Sequence, residues 1–169
     1  MEGAADIIEK DGDERLEKLC DDMIDTIVKG QAPDGYFNSY FQTCEPDARF
    51  TRRVDHELYC CGHFVEAAVA YYNATGKRKL LDAMCRYVDL VEKVFKTEHS
   101  APYFTPGHEE IELALVKLYH CTGEKRYLDL SKYFVEERGR HQESSYKQSS
   151  IYELQDQLPV REMTTAEGH

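Results

Sequence analysis

No stretch of the sequence approaches the roughly 20 consecutive apolar residues that a bilayer-spanning helix needs, so insertion into a membrane is not expected. Positive charge is scarce: 21 Lys and Arg stand against 32 Asp and Glu, a net charge of −11. No Lys/Arg cluster offers a patch for phosphates, which argues against nucleic acid or an anionic lipid surface as partner. The N-terminal Met1-Glu2-Gly3-Ala4-Ala5-Asp6 carries acid where a signal peptide carries base, so nothing directs export. The six cysteines (Cys20, Cys44, Cys60, Cys61, Cys85 and Cys121) include no C-x-x-C pair. They read as core thiols of a protein in a reducing, cytoplasmic compartment. Strand-like alternation is also scarce. What remains is 169 residues, 41% hydrophobic and 31% charged, a composition that suits one globular domain with a substantial core.

Five segments have helical periodicity. Leu16, Leu19, Cys20, Met23, Ile24, Ile27 and Val28 form one stripe opposite Glu14, Glu17, Lys18, Asp21, Asp22 and Asp25, a one-faced surface helix. From about Glu57 to Ala74 the apolar residues encircle the helix, which demands burial on several sides. About Arg78 to Lys96 is one-faced, about Glu109 to Cys121 is apolar-rich, and about Lys125 to Arg138 is one-faced again. The order reads outer, inner, outer, inner, outer. Ala67 to Val88 and Ala114 to Val135 repeat at a fixed offset of 47, sharing Tyr72/Tyr119, Thr75-Gly76/Thr122-Gly123 and Leu81-Asp82/Leu128-Asp129. Each copy is a helix, a Thr-Gly stop and a second helix; the glycine supplies the left-handed residue that ends a helix. Helical hairpins repeated at this length build solenoids or closed α/α toroids, and the fold class is all-α. Ala4, Ala5, Ile7 and Ile8 read as the last turn of a helix, and Arg161 to His169 as the start of another. Neither end resembles a polar cap, so the expectation is a toroid truncated at both ends.

Two long stretches escape the helical pattern. Gln31 to Asp55 holds the turn Ala32-Pro33-Asp34-Gly35 and then Tyr36-Phe37-Asn38-Ser39-Tyr40-Phe41; Gly139 to Gln157 is rich in Ser, Gln and Tyr. His56-Glu57 opens the second helix, and His108-Glu109 is read as opening the fourth, after Thr105-Pro106-Gly107. Inner helices of an α/α toroid begin at one mouth, so these histidines, with His169 in the next inner helix, are expected to converge there. At a positive helix end the neutral imidazole is favoured, which suits hydrogen bonds to a neutral hydroxyl. With Tyr36, Phe37, Tyr40 and Phe41 close by, rings for stacking and donors for hydroxyls describe a sugar site with His56, His108, His169, Tyr36 and Tyr40 as its contacts. Two other readings compete: a non-enzymatic helical-repeat module that binds protein in an inner groove, and a small zinc site on the His56, Cys60, His63 stripe.

These strings resemble glycoside hydrolase family 127, whose members include β-L-arabinofuranosidases. The matching text is Pro33-Asp34-Gly35-Tyr36-Phe37-Asn38-Ser39-Tyr40-Phe41, His56-Glu57-Leu58-Tyr59-Cys60 through Gly62-His63, Glu66 to Ala70, Thr75-Gly76-Lys77-Arg78, Pro106-Gly107-His108 through Val116, Leu158 to Glu162, and Gly168-His169. The resemblance implies an (α/α)6 toroid, a retaining exo-glycosidase acting on a terminal furanoside, and pocket histidines at His56, His108 and His169. It also implies a zinc-bound cysteine nucleophile, whose Cys and Glu ligands would follow His169. The adjacent Cys60 and Cys61 lie in a different motif and do not inherit that role. The expectation is part of a sugar pocket without the catalytic machinery, with self-association through open helix edges.

Overall fold

In the computed structural model, which describes residues 1–140 and 158–165, three helical hairpins follow one another. The first is α1 (Glu2–Asp11) and α2 (Glu14–Gly30). A short α3 (Ser39–Thr43) lies in the long connection that follows. The second hairpin is α4 (Glu57–Thr75) and α5 (Lys79–Val91), the third α6 (Ile111–Thr122) and α7 (Lys125–Glu137). Among the described residues there is no strand, as expected for an all-α chain. The N-terminal segment is a ten-residue helix rather than a single last turn.

α4 is the hub. It packs against α1 on one side, α6 on the other and its own partner α5 behind, which is why its apolar residues run all round while α2, α5 and α7 are one-faced. Leu58, Cys61, Val65, Ala68 and Tyr71 of α4 join Leu81, Met84 and Val88 of α5 and Ile111, Leu115 and Leu118 of α6 in one apolar core. Burial of these side chains is what fixes the hairpins, at about 1.5–3 kcal/mol for each large one.

α1, α4 and α6 form the inner layer and run in the same direction. His56, just before α4, meets His108, in the turn ahead of α6, and ten and nine residues further on Glu66 pairs with Lys117. Glu2 lies beside His63 and Glu66, and the groove continues past Asp6 and Glu9 alongside Val69 to Asn73. All three inner helices end in the same way. Gly12, Gly76 and Gly123 sit at φ 70°, 73° and 76°, and their amides bond back to Ile8, Tyr72 and Tyr119 at 3.0, 2.7 and 2.7 Å. In both repeat copies the threonine hydroxyl donates to the carbonyl four residues back and accepts the amide two residues on (Thr75 with Tyr71 and Lys77, Thr122 with Leu118 and Glu124). The 47-residue repeat is therefore a repeat of one closed joint.

The connection between α2 and α4 is docked, not loose. Gln31 Nε2 donates to the carbonyls of Gly35 (2.8 Å) and Ala83 (2.7 Å), which ties the Pro33-Asp34-Gly35 turn to α5. Asn38 caps α3 by accepting the amides of Tyr40 and Phe41. Of the expected helix start at Arg161 to His169, the described part up to Thr165 holds one short turn, Val160–Glu162; residues 166–169, His169 among them, and most of Gly139 to Gln157 lie outside the described residues.

Candidate functional site

The rim where the inner helices begin brings the two His-Glu motifs together. His56 Nε2 and His108 Nε2 are 3.2 Å apart, their rings inclined by only 23°. That contact needs one nitrogen to carry a proton and the other to be bare. His56 precedes α4 at φ 60°, a left-handed conformation unusual outside glycine, and Phe50, in the same connection, has φ 53°. Such backbone strain persists only where its surroundings impose it, and it concentrates at functional sites. Tyr59 stands at the centre of the cluster: its exposed ring meets His56, His63 and His108 edge-on at 5.8, 4.5 and 5.4 Å. In the sequence Tyr59 is one apolar position among many on an encircled helix, and nothing in its spacing marks it.

His108 does not open α6. It lies in a turn three residues ahead of Ile111, with Glu109 and Glu110, and only Glu112 falls in the first helical turn. The argument from a positive helix end therefore does not apply to it. Tertiary partners draw the two acids out of the helix: Glu109 pairs with Arg138 at 3.1 Å, and Glu110 lies 3.2 Å from His63 Nδ1.

The four aromatics of the connection separate. Tyr36 is not at the rim. Its ring is 0% exposed, stacked under the Arg49 guanidinium at 4.3 Å, and its hydroxyl donates to Glu57 Oε1, so it has no free face for a sugar. Phe41 is buried, Phe37 packs edge-on against Phe64 at 5.1 Å, and only Tyr40 is exposed, its hydroxyl donating to Glu45 at 2.6 Å. An irregular segment has no periodicity from which to read which aromatics face in. Glu57, next to His56, is the unanticipated residue. Its buried carboxylate also accepts the Phe50 amide at 2.7 Å and fastens the connection beneath the rim. Burial pushes its carboxyl above the usual range, against the pull of the two donors.

Behind the histidines a second polar cluster joins α4 to α6. Glu66 accepts from Lys117 and shares a hydrogen bond with Glu110. Burial and the Glu66 carboxylate push Glu110 up to about 7, while Glu66, held by Glu110 and Lys117, is lowered. Glu112 is also pushed up to about 7 by burial, against the pull of Arg138. A carboxyl raised in the folded chain stabilises it fully below the unfolded value and loses that contribution as pH rises through the folded one. The melting temperature should therefore fall between about pH 5 and pH 8, by roughly 3 °C for each 1 kcal/mol lost in a chain of this length. Glu110→Gln should remove its own share of the fall and leave that of Glu112. A variant whose melting curve keeps the full pH dependence would show that Glu110 carries no raised proton.

Metal donors do not assemble as the zinc stripe requires. Among the described residues the group that gathers is Glu2, His63 and Glu66, without a thiol, and neither His56 nor Cys60 belongs to it. All six cysteines are free. Burial raises the thiols of Cys20, Cys60, Cys61, Cys85 and Cys121, which disfavours the thiolate form that zinc binds. The residues in hand do not fit a zinc–thiolate centre.

Parallel inner helices and antiparallel outer partners define the class: an α/α toroid, of which this chain forms part, with polar side chains converging where the inner helices begin. Comparison with known proteins gives the family. The family model described as the β-L-arabinofuranosidase GH127 catalytic domain matches residues 1–169, and the chain belongs to that family. It is 36% identical over 189 aligned residues to the non-reducing end β-L-arabinofuranosidase of Bifidobacterium longum subsp. longum, covering 100% of this chain and 29% of that protein. The crystal structure of a GH127 β-L-arabinofuranosidase from Geobacillus stearothermophilus T6 superposes with a TM-score of 0.90 at 44% identity, over 99% of this chain and 29% of that one. A second GH127 β-arabinofuranosidase structure gives 0.83 at 36% identity, over 99% and 27%. The chain thus spans under a third of the length of these relatives. No helix among the described residues is long and apolar enough to cross a membrane.

Proposed function

We propose that this chain forms part of the sugar-binding mouth of a retaining exo-glycosidase that acts on a terminal furanoside such as β-L-arabinofuranose. The observation that carries the reading is the His56–His108 contact, two imidazoles from the connections that lead into successive inner helices, presented at one rim. A sugar would part this pair, and the two nitrogens, one donating and one accepting, would then meet neighbouring hydroxyls, with the exposed Tyr59 ring offering an apolar edge beside them. His169 would add a third imidazole and Tyr40 an outer contact, whereas Tyr36 serves from behind by holding Glu57. The zinc and the nucleophilic cysteine that the family resemblance implies would come from residues other than these, because burial disfavours the thiolates of Cys60 and Cys61 and no thiol joins the group of metal donors that gathers here. The 169-residue polypeptide should therefore bind the sugar weakly and hydrolyse nothing by itself. Leu113, 52% exposed on α6, marks an edge at which a second copy would pair, detectable as a dimer by sedimentation.

Titration of the chain with L-arabinose, followed by NMR, tests the binding half. His56→Ala and His108→Ala should each weaken binding about tenfold, the effect of one lost polar contact of roughly 1.4 kcal/mol. Unchanged affinity in both variants would favour the protein-binding repeat instead. Release of p-nitrophenol from a β-L-arabinofuranoside by the zinc-loaded chain would overturn the inactivity.

A further inference from the structure

The two histidines come from connections 52 residues apart, and something must set their spacing. Neither helix start does so by itself, because His56 precedes α4 in a left-handed turn and His108 lies ahead of α6 in an irregular one. The shared object is the carbonyl of Pro106. Arg53 Nε donates to it at 3.1 Å and Arg138 Nη2 at 2.9 Å, so one carbonyl oxygen accepts from two guanidinia. Both arginines are almost wholly buried, Arg53 at 3% exposure and Arg138 at 2%. Arg53 stands three residues before His56 and Pro106 two before His108, so each end of this bond lies within about 10 Å of chain from an imidazole. Gly107 completes the joint. A Cβ there would sit 3.1 Å from the Arg53 carbonyl oxygen, tighter than an ordinary contact, so the two connections lie backbone on backbone.

We propose that Arg53 is a positioning residue for the histidine pair: by gripping the Pro106 carbonyl against the anchor supplied by Arg138, it fixes the distance between His56 and His108. Its relevance to sugar rests on the function proposed above; the positioning itself does not. Arg138 is held in turn by Glu109 at 3.1 Å and Glu112 at 3.5 Å, which makes it the fixed jaw. Arg53, carried on the short turn Arg53–Asp55 that delivers His56, is the jaw that couples one connection to the other.

Imidazole NMR of the whole 169-residue chain tests this directly. The wild type should show a nuclear Overhauser contact between the His56 and His108 rings. Arg53→Gln and Gly107→Ala attack the joint from its two sides and should each abolish that contact, while Arg53→Lys, which keeps one donor, should retain it. The amides of Gly76 and Gly123, at the far ends of α4 and α6, should keep their shifts in all three variants. That separates a moved joint from a generally loosened fold. Where L-arabinose binds, its Kd should rise about tenfold in Arg53→Gln. Loss of the ring contact in a chain whose wild type ignores L-arabinose would sustain the positioning and remove the sugar reading. Persistence of the contact in folded Arg53→Gln or Gly107→Ala, or movement of the Gly76 and Gly123 amides together with its loss, would overturn the positioning.

Discussion

Gly35→Ala should lower the melting temperature by roughly 6–12 °C, the equivalent of about 3 kcal/mol in a chain of this size. Two costs add. Gly35 has φ 92°, where an L side chain is strained by about 1–2 kcal/mol. The new methyl would also lie 2.5 Å from the Arg86 carbonyl oxygen and 2.8 Å from its carbon. That obstacle is the backbone of α5, which cannot swing aside as a side chain does, and overpacking of this kind costs about 1–3 kcal/mol. Relief requires the connection to lift from α5, breaking the Gln31 bonds to Gly35 and Ala83 and the Arg86 bond to Gln31 at 2.6 Å. Gly3→Ala is the internal comparison: nothing lies within 4 Å of its added methyl, and alanine suits a helix better by about 0.5–1 kcal/mol. If differential scanning calorimetry finds Gly35→Ala no less stable than Gly3→Ala, the close approach to α5 is not a constraint.

Glu57→Leu should cost about 3–5 kcal/mol in urea unfolding. Leucine fills the space but strands two buried donors, the Tyr36 hydroxyl and the Phe50 amide, at about 1–3 kcal/mol for each. The pairing predicts a specific recovery. Tyr36→Phe added to Glu57→Leu removes one stranded donor and should restore about 1–2 kcal/mol, although Tyr36→Phe alone destabilises the native chain. Absence of that recovery would show that the hydroxyl finds another acceptor. Glu57→Gln should fall between, since the amide carbonyl still accepts from one donor.

Much of the architecture was legible in the sequence because helix periodicity and Thr-Gly closure are local signals. The encircled α4, the one-faced α5 and α7 and the repeated joints at Gly76 and Gly123 all follow from spacing alone. The rim was legible only in part. The His56-Glu57 start of α4 is where the pattern puts it, but glutamate at a helix start reads as a partner for the helix dipole. Its burial follows from Tyr36 and Phe50, which reach it from 21 and seven residues away in sequence. The start of α6 is displaced by two residues because Glu109 and Glu110 serve Arg138 and His63 instead of the helix. Arg53 and Arg138 gave no signal at all. One lay in the irregular Gln31 to Asp55 stretch, the other at the end of a surface helix, and only the folded chain brings both onto the carbonyl of Pro106.

The three left-handed glycines that finish the inner helices have one more consequence. They make the two ends of each hairpin chemically unlike. One end is a sealed knot that satisfies its own backbone and depends on few residues. The other is an open wreath of loops held by buried side chains that reach across to backbone groups of their neighbours, as Arg53, Arg138 and Glu57 do. The wreath can therefore vary in sequence while the knots go on holding the frame.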